Sequence, residues 1–362
     1  MIYFIAPDLP HASGGLRVIH HMAQVLDAAG VDAVVWHGGR GPLPKGLEFE
    51  APVDRADRRV LAPGDLLVMP EVGGGRWSFL VGGLPVVMLV QGPDFIFFDA
   101  EFDRAVVGAY PGWPGAVAAV TVSSSLEALL NEVVPDGFPV HHVPVGIDTE
   151  RFRPRTKRRT IALMPRRRAA DLRSVVQVLR RRGSLDAWDL TLIDGMDGDG
   201  VARALGDAAI FLSGAEREGF GLPGAEAMAA GAAVVGFTGH GAAEYMGEGR
   251  ARVIAESDVL AMADAVEEAM REFDEDRETF ERKAAAARAF VQRSYGLEVT
   301  ARRSVEVFAQ LQAPGSPALV RDATEVEHYS AHGGPSSRAG RAVLSARTWA
   351  GARKRALRDR SS

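Results

Sequence analysis

Two glutamates eight positions apart are the residues of this sequence best suited to chemistry. Glu218 and Glu226 enclose the string Gly-Phe-Gly-Leu-Pro-Gly-Ala, between apolar runs at 210–213 and 232–236 that predict buried strands. A helix is predicted to begin near Pro223, because proline suits the first turn of a helix, where the carboxylate of Glu226 is also favourable. Taken singly, each glutamate could be a solvated loop acid or a helix-capping acid. Together, at a junction of strand and helix where open α/β sheets bind ligands, they predict a binding site.

The loop between these glutamates is suited to bind anions. Backbone amides near the start of a helix point at bound ligands, and the helix dipole favours negative charge there. We therefore expect phosphate oxygens to accept hydrogen bonds from the amides of Gly219, Phe220, Gly221 and Leu222.

A basic turn could contribute to the same kind of site. Arg166, Arg167 and Arg168 follow a predicted strand at 161–164. Guanidinium groups make bidentate contacts with phosphate, which suits them to hold a diphosphate. The alternative is an ordinary solvated basic turn.

A glycine pair near the start of the chain could serve a similar purpose. Gly14 and Gly15 follow the first predicted strand and precede a helix at 16–29, whose apolar positions share one face. Glycine allows another group to approach the backbone closely, although a Gly-Gly pair before a helix is often only a turn. The segment lacks the G-x-G-x-x-G spacing of dinucleotide-binding enzymes, which disfavours a dehydrogenase.

Short runs rich in Val, Ile and Leu alternate with helical periodicity along residues 1–312. This alternation is typical of parallel α/β units. The pattern pauses near 144–148 and begins again, so we expect two doubly wound, Rossmann-like domains at residues 1–147 and 148–312. Strands are predicted at 2–6, 33–36, 65–69, 86–91, 117–122, 161–164, 190–193, 210–213, 234–237 and 252–254. Helices are predicted at 16–29, 172–181, 223–230, 259–272, 277–294 and 297–311.

Composition agrees with a globular protein of two domains. The chain has 362 residues, 47% hydrophobic and 25% charged, and this length exceeds one ordinary compact core. There is no cysteine, which excludes disulfides, thiolate metal sites and a thiol nucleophile, and fits a reducing compartment. The start lacks the regions of a signal peptide, and no apolar run approaches the roughly 18 residues that span a bilayer. We therefore expect a cytoplasmic protein.

Charge is distributed unevenly along the chain. The net charge is −5, yet residues 338–362 hold eight Lys or Arg against one acid, Asp359. The remaining body is acidic, which disfavours nucleic-acid binding because phosphate neutralisation needs a basic face. From residue 313 the sequence turns polar and rich in Pro, Gly and Ser, so we expect residues 313–362 to form a basic, disordered tail. As a short basic helix around Trp349, this tail could instead lie on an anionic membrane surface.

The string EGFGLPGAEAM, from Glu218 to Met228, resembles the E-x7-E motif of retaining GT-B glycosyltransferases. The resemblance is to enzymes like those of glycosyltransferase family 4, the glycosyl transferases group 1. Two further segments are similar to this family. Residues 143–154 resemble its hinge motif N-G-V-D-x-x-x-F-x-P, and residues 239–244 resemble its Gly-Gly-x-x-E turn. The resemblance extends over residues 1 to about 312. It implies two Rossmann-like domains that face each other across a cleft, with the helix at 297–311 packing back across the hinge.

The resemblance also implies roles for individual residues. Glu226 would hold the ribose hydroxyls of a nucleotide, and Glu218 would contact hydroxyls of the donor sugar near the reacting carbon. Gly14 and Gly15 would let the backbone approach the donor phosphate and sugar. The reaction would be retaining transfer from a nucleotide-sugar to a hydroxyl of a glycan, lipid-linked or small-molecule acceptor, in polysaccharide or glycoconjugate synthesis. The donor phosphate would help to take the acceptor proton, and no metal or other cofactor is expected.

The sequence departs from the family pattern at two positions. The family places an arginine and a lysine on the diphosphate in a G-R-x5-K pattern, of which Arg166 matches the arginine. The lysine position falls on Leu172, so the second charge would have to come from Arg167, Arg168 or Arg173. The family histidine near the acceptor falls on Gln91, which can donate hydrogen bonds but cannot act as a general base at neutral pH.

Other chemistries fit the sequence less well. A nucleotide-sugar epimerase or a sugar phosphorylase of the same fold is an alternative, but an epimerase needs paired carboxylates and only Glu216 lies near Glu218. A non-catalytic binding subunit would be expected to have lost such site residues. The D-x-D string at 197–199 resembles a metal motif but lies in a Gly-rich turn. The adjacent histidines at 20–21 and 141–142 point to different faces of their elements, which suits metal chelation poorly.

Overall fold

Strands of uninterrupted apolar residues form the centre of the fold, as expected for parallel sheets covered by helices on both faces. The chain is described by a computed structural model, which covers residues 1–7, 9–38, 42–47, 49–72, 84–97, 102, 110, 111, 113, 115–330, 334 and 335. The ten strands and six helices predicted from the sequence are all present. Within these residues, no helix is both long and apolar enough to cross a membrane.

The first domain is built on a seven-stranded parallel sheet. Its strands, with the separate β4, are β1 (Ile2–Ile5), β2 (Ala33–Trp36), β3 (Val53–Asp54), β4 (Arg58–Leu61), β5 (Leu66–Pro70), β6 (Val86–Val90), β7 (Ala116–Thr121) and β8 (Val140–His142). The strand order is β3-β2-β1-β5-β6-β7-β8. Helices α1 (Gly14–Ala28), α2 (Pro93–Ile96) and α3 (Ser124–Asn131) follow β1, β6 and β7. The loops that leave the carboxyl ends of these strands therefore share one edge, where ligands of such sheets bind.

The second domain has a five-stranded parallel sheet in the order β10-β9-β11-β12-β13. Its strands are β9 (Arg158–Leu163), β10 (Asp189–Leu192), β11 (Ala208–Glu218), β12 (Ala233–His240) and β13 (Arg252–Val253). Its helices are α4 (Ala169–Arg182), α5 (Gly198–Asp207), α6 (Leu222–Ala229), α7 (Ala243–Met246), α8 (Val259–Glu275) and α9 (Arg277–Tyr295). β11 is longer than the predicted run, with an irregular register between Ala215 and Glu218. Glu218 therefore ends a strand rather than lying inside the loop.

Helix α10 (Leu297–Leu311) returns to the first domain, as the family resemblance implied. Phe308 of α10 packs against Phe4 of β1, with 5.3 Å between ring centroids. At the crossing, the backbone N–H of Ile147 donates to the carbonyl of Tyr295 over 2.7 Å. The outgoing and returning segments are thus bonded to each other where the chain passes between the domains.

Residues 313–330 differ from the predicted tail. Strand β14 (Thr324–Glu327) pairs antiparallel with β4, and the side chains of Val320 and Val326 are buried. His328 is fully buried, and its Nε2 donates to the carbonyl of Trp36 over 2.8 Å. The prediction that a disordered tail begins at residue 313 is wrong for this segment, because its few apolar side chains cover the first domain. A short ladder of β15 (Tyr329–Ser330) and β16 (Gly334–Pro335) follows, and the basic residues at 338–362 lie outside the described residues.

Candidate functional site

The carboxyl end of β11 places Glu218 beside the basic turn. Glu218 is paired with His240 at the end of β12, and its Oε1 lies 3.4 Å from Nε of Arg167 in the loop after β9. β9 and β11 are adjacent strands of the sheet. The acid and the basic turn, predicted from separate segments, are therefore neighbours in space.

The three arginines of the basic turn have different surroundings. Arg166 and Arg167 are exposed. Arg168 is bound by acids: its Nη1 lies 3.1 Å from Oδ2 of Asp171, and its Nη2 bonds Glu256. Arg168 also adopts a left-handed φ of 44° directly before α4, a conformation that is uncommon for residues other than glycine. Arg168 thus holds the turn, whereas Arg166 and Arg167 remain accessible to a ligand.

A pocket opens between the basic turn and the end of β11. Arg166, Arg167, Glu218 and Gly221 line it, together with the carboxyl ends of β9 and β11 and the first turn of α6. Leu172, at the position of the family lysine, is buried in the core. Two guanidinium groups and one carboxylate therefore converge on one pocket.

A buried aromatic cluster holds the Gly-rich loop after Glu218. The ring of Phe220 lies 5.2 Å from that of Tyr245 and 5.0 Å from that of Tyr295. The hydroxyl of Tyr245 donates to the carbonyl of Gly221, whose φ of 84° is one that glycine adopts without strain. Burial raises the pKa of Tyr245 well above its usual value, so this hydroxyl stays a donor. The loop amides consequently have a fixed direction at the start of α6.

Glu226 lies on α6 and is only 4% exposed. Its Oε1 lies 3.3 Å from Nη1 of Arg17, which comes from the first domain. Glu226 does not line the pocket that contains Glu218. Arg17 lies near the start of α1, where a positive charge opposes the helix dipole. That unfavourable placement is a signal in the sequence that Arg17 has a partner outside its own helix.

Glycines bring the two domains into contact at Gln91. A Cβ on Gly219 would lie 1.9 Å from the carbonyl oxygen of Gln91, and one on Gly15 would lie 3.1 Å from its Oε1. A Cβ on Gly14 would lie 3.1 Å from Cδ1 of Leu222. The glycine pair, Gln91 and the loop after β11 were predicted from three separate segments. The structure brings all three together.

Two further carboxylates connect the domains beside this contact. Oε2 of Glu244, in the turn that resembles Gly-Gly-x-x-E, accepts a hydrogen bond of 2.8 Å from the backbone N–H of Ser124 at the start of α3. Asp94 of α2 pairs with Arg217 near the end of β11. The cleft between the domains is therefore closed along this edge.

A second pocket also includes Glu218 and is lined by both domains. Arg217 and His240, which flank Glu218 in this pocket, have left-handed φ values of 48° and 68°. Such conformations are uncommon for residues other than glycine and concentrate at functional sites. The first-domain wall consists of Pro93, Ser125, Leu126 and Leu129. Glu218 is thus shared by a pocket within the second domain and a pocket between the domains.

Sequence reasoning missed Glu71, directly after β5. Its side chain is 1% exposed, and its Oε1 accepts a hydrogen bond of 2.9 Å from the backbone N–H of Gln91. Burial raises the pKa of Glu71 to about 7. The signal in the sequence was an acid directly after an apolar strand, at the same sheet edge as Gln91.

The weaker motifs of the sequence have structural roles in this fold. Among the described residues, no group of three or more His, Cys, Asp or Glu could hold a metal ion. Asp197 caps α5 by accepting a backbone N–H of that helix over 2.7 Å, and Asp199 pairs with Arg151 over 2.8 Å. His20 lies in the core with its Nε2 3.0 Å from Nε2 of His37, and burial lowers the pKa of His20 to about 4.

Comparison with known sequences gives one family. The sequence profile described as "Glycosyl transferases group 1" matches residues 189–287, which include Glu218 and Glu226. An alpha-1,6-glucosyltransferase of Actinobacillus pleuropneumoniae serotype 7 is 36% identical over 85 residues, covering 20% of this chain and 26% of that protein. The match thus spans about a quarter of the length of this curated relative.

Comparison with solved structures extends the likeness to both domains. A sucrose-phosphate synthase from Thermosynechococcus elongatus aligns with a TM-score of 0.60 at 16% identity, over 86% of this chain and 99% of that chain. A glycosyltransferase from Rickettsia africae aligns with a TM-score of 0.59 at 14% identity, over 87% of this chain and 99% of that chain. The Anabaena protein HepE, in complex with UDP and glucose, aligns with a TM-score of 0.62 at 13% identity, over 86% of this chain and 99% of that chain. At these identities the likeness concerns the fold, and it confirms the predicted GT-B architecture.

Proposed function

We propose that this chain is a member of the glycosyl transferases group 1 family and a glycosyltransferase that moves a sugar from a nucleotide-sugar to an acceptor hydroxyl with retention of configuration. The position of Glu218 carries the proposal, because this residue is shared by two pockets. One pocket contains Arg166 and Arg167, which suits a diphosphate, and the other lies between the domains, which suits an acceptor. A sugar held by Glu218 would have its reacting carbon between them.

The donor would be bound mainly by the second domain. Arg166 and Arg167 would hold the diphosphate, assisted by the amides and dipole at the start of α6. Glu226 would accept hydrogen bonds from the ribose hydroxyls, so it would have to exchange or share its contact with Arg17. The UDP and glucose named for the Anabaena structure support a nucleotide-sugar as donor.

Negative charge would develop on the diphosphate as the bond between the sugar and its leaving oxygen breaks. Guanidinium groups stay protonated at any physiological pH, and groups already aimed at the developing charge need no reorganisation. In our proposal the leaving phosphate oxygen takes the proton of the acceptor hydroxyl. Charge neutralisation then comes from the arginines and the helix amides, and the proposal includes no metal or other cofactor.

The acceptor would enter the pocket between the domains. Gln91 lies where the two domains touch, and its amide can donate to or accept from a hydroxyl without acting as a base. We propose a glycan or glycoconjugate as acceptor, for which the name of the curated relative, an alpha-1,6-glucosyltransferase, gives support.

The test begins with calorimetry against UDP, GDP, ADP and TDP. We expect one nucleoside diphosphate to bind more tightly than the others, and the matching nucleotide-sugars then serve as donors in a transfer assay. Proton NMR of the product reports the anomeric configuration, which should be that of the donor. Binding of none of these nucleotides would contradict the proposal, and conversion of the donor sugar without any acceptor would favour an epimerase.

A further inference from the structure

We propose that Glu71 is a positioning residue of the active site, which fixes the turn of Gln91 and Gly92 where glycines of both domains contact it. The inference rests on the proposed function, because this turn adjoins the donor and acceptor positions assigned above. Glu71 lies in neither of the two pockets that contain Glu218. Its action would therefore pass through Gln91.

The geometry around Glu71 joins the ends of two adjacent strands. β5 and β6 are parallel neighbours, and the backbone N–H of Glu71 donates to the carbonyl of Leu89 over 3.2 Å. Its carboxylate then reaches past the end of β6, where Oε1 accepts the N–H of Gln91 over 2.9 Å. A Cβ on Gly92 would be in ordinary van der Waals contact with the same oxygen, at 3.7 Å. One side chain therefore determines where the chain leaves β6.

Burial of this carboxyl group lowers the stability of the fold. Glu71 is 1% exposed, and within the described part of the chain its Oε2 has no hydrogen-bond partner. A buried polar atom without a partner costs free energy of folding, so an apolar residue would serve stability better at this position. Burial also raises the pKa of Glu71 to about 7, which shows how poorly the site solvates its charge. Such groups concentrate at functional sites.

The turn that Glu71 holds has little freedom to move without changing the cleft. The carbonyl of Gln91 lies so close to Gly219 that no Cβ fits between them, and its side-chain oxygen lies beside Gly15. Both glycine turns belong to the proposed donor site. Since misplacement of catalytic groups by about 1 Å can cost on the order of 100-fold in rate, loss of the Glu71 bond should slow transfer.

The experiment compares two substitutions of Glu71, which follows β5, with a control at the residue that precedes β5. Glu71→Met removes the acceptor oxygen but keeps most of the volume, and Glu71→Gln keeps an oxygen for the Gln91 amide. The control is Asp65→Ala at the opposite end of β5, where a carboxylate that is 8% exposed accepts the N–H of Ala62 over 2.7 Å. It removes a comparable hydrogen bond, together with an ion pair of 3.2 Å between Asp65 and the amino group of Met1, away from the cleft.

We expect Glu71→Met to lower kcat by about 10-fold or more while the donor KM changes by less than about 2-fold, since neither Glu71 nor Gln91 lines the pocket that holds Arg166 and Arg167. Glu71→Gln should keep kcat within about 3-fold of wild type, and Asp65→Ala should lose stability but not kcat. Equal loss of kcat in Glu71→Met and Asp65→Ala would overturn the inference, and so would an inactive Glu71→Gln. If Glu71→Met does not fold, Glu71→Asp takes its place in the comparison, because its shorter side chain withdraws the acceptor oxygen from the Gln91 amide.

Hydrogen exchange gives a readout that does not depend on activity. The amide of Gln91 should exchange slowly in wild type and in Asp65→Ala, and faster in Glu71→Met, as followed by mass spectrometry of a peptide that contains it. Unchanged exchange in Glu71→Met would overturn the inference even if wild type transfers sugar. If wild type turns over no nucleotide-sugar, the proposed function fails, while faster exchange in Glu71→Met would still show that Glu71 holds the turn.

Discussion

Arg17 of the first domain and Glu226 of the second form an ion pair across the cleft, with 3.3 Å between Nη1 and Oε1. Glu226 is also the carboxylate that we propose for the ribose. Because its partner comes from the other domain, the same carboxylate would serve both closure of the cleft and nucleotide binding. The two roles can be separated by measuring nucleotide affinity directly.

Glu226→Ala should weaken binding of the preferred nucleoside diphosphate by about 1–3 kcal/mol, the scale for loss of charged hydrogen bonds. Isothermal titration calorimetry measures this change. Glu216→Ala is the matched control, because Glu216 is a carboxylate on β11 that lies 4.0 Å from Arg168 and outside the pocket of the basic turn. Unchanged affinity in Glu226→Ala would contradict the ribose assignment.

The arginines of the basic turn should separate into two kinds. Arg166→Ala and Arg167→Ala should lower kcat by about 10- to 100-fold, and by more than they raise the donor KM, because they act on charge that develops in the transition state. Arg168→Ala should lower the melting temperature instead, since its partners are Asp171 and Glu256. Arg173→Ala, on the exposed side of α4, is the control.

Steady-state kinetics and thermal unfolding check this separation. A change confined to the donor KM in Arg166→Ala or Arg167→Ala would show that these groups bind the substrate and the transition state equally, which would contradict the prediction. An Arg168→Ala protein that is stable but inactive would assign the second phosphate contact to Arg168 instead.

The contact between Gly219 and Gln91 leads to a prediction about closure of the cleft. In Gly219→Ala the new Cβ would lie 1.9 Å from the carbonyl oxygen of Gln91, so the domains would have to move apart. We expect a larger radius of gyration in small-angle scattering and a kcat at least about 100-fold lower. Gly92→Ala is the control for size, because its Cβ would meet nothing nearer than 3.6 Å. A Gly219→Ala protein as compact as wild type would contradict the prediction.

The parts of the fold that the sequence could predict are those with a local signal. Each predicted strand is an apolar run, and each predicted helix has an apolar face, so their positions follow from periodicity. β14 has no such signal, because Val326 is its only buried residue and its pairing with β4 joins segments over 250 positions apart. The polar end of β11 was missed for the same reason.

The residues of the candidate site also divide into those with a local signal in the sequence and those without one. Glu218, Arg166 and the glycine pair have recognisable neighbours in the sequence, and the structure brings them to one edge. The contact of Glu71 with Gln91 depends on β5 and β6 being adjacent, and periodicity does not give strand order. The ion pair between Glu226 and Arg17 depends on how the domains face each other, which no local pattern encodes.

Burial of Glu71 predicts a pH dependence of stability with a definite sign. Its pKa is raised from 4.5 to about 7, so between these values the folded state holds the proton more tightly than the unfolded state. The stabilising contribution is complete below pH 4.5 and is lost as the pH rises to about 7. Relative to Glu71→Gln, the free energy of unfolding of wild type should therefore fall by roughly 3 kcal/mol over this range, at about 1.4 kcal/mol per pKa unit. Urea denaturation at several pH values measures it, and a constant difference would contradict the predicted shift.

The C-terminal residues offer a last test, and the structure decides where the chain should be cut. Val320, Val326 and His328 are buried against the first domain, so truncation after Gln312 would expose apolar surface there. Burial of each of the two valine side chains stabilises the fold by about 1.5–3 kcal/mol, so this truncation should lower the melting temperature. Truncation after Pro335 removes the basic residues at 338–362 and keeps the buried segment.

We predict that the full chain co-sediments with phosphatidylserine-containing vesicles at low salt and is released at high salt, because each Lys or Arg near an anionic surface adds about 1 kcal/mol. The protein truncated after Pro335 should keep the melting temperature of the full chain but lose sedimentation, since it lacks the eight basic residues of 338–362. Phosphatidylcholine vesicles, which carry no net charge, are the control for non-specific sedimentation. Equal sedimentation of the full chain and of the protein cut after Pro335 would leave the basic residues without a membrane role, and any remaining binding would then have to come from the acidic body of the protein.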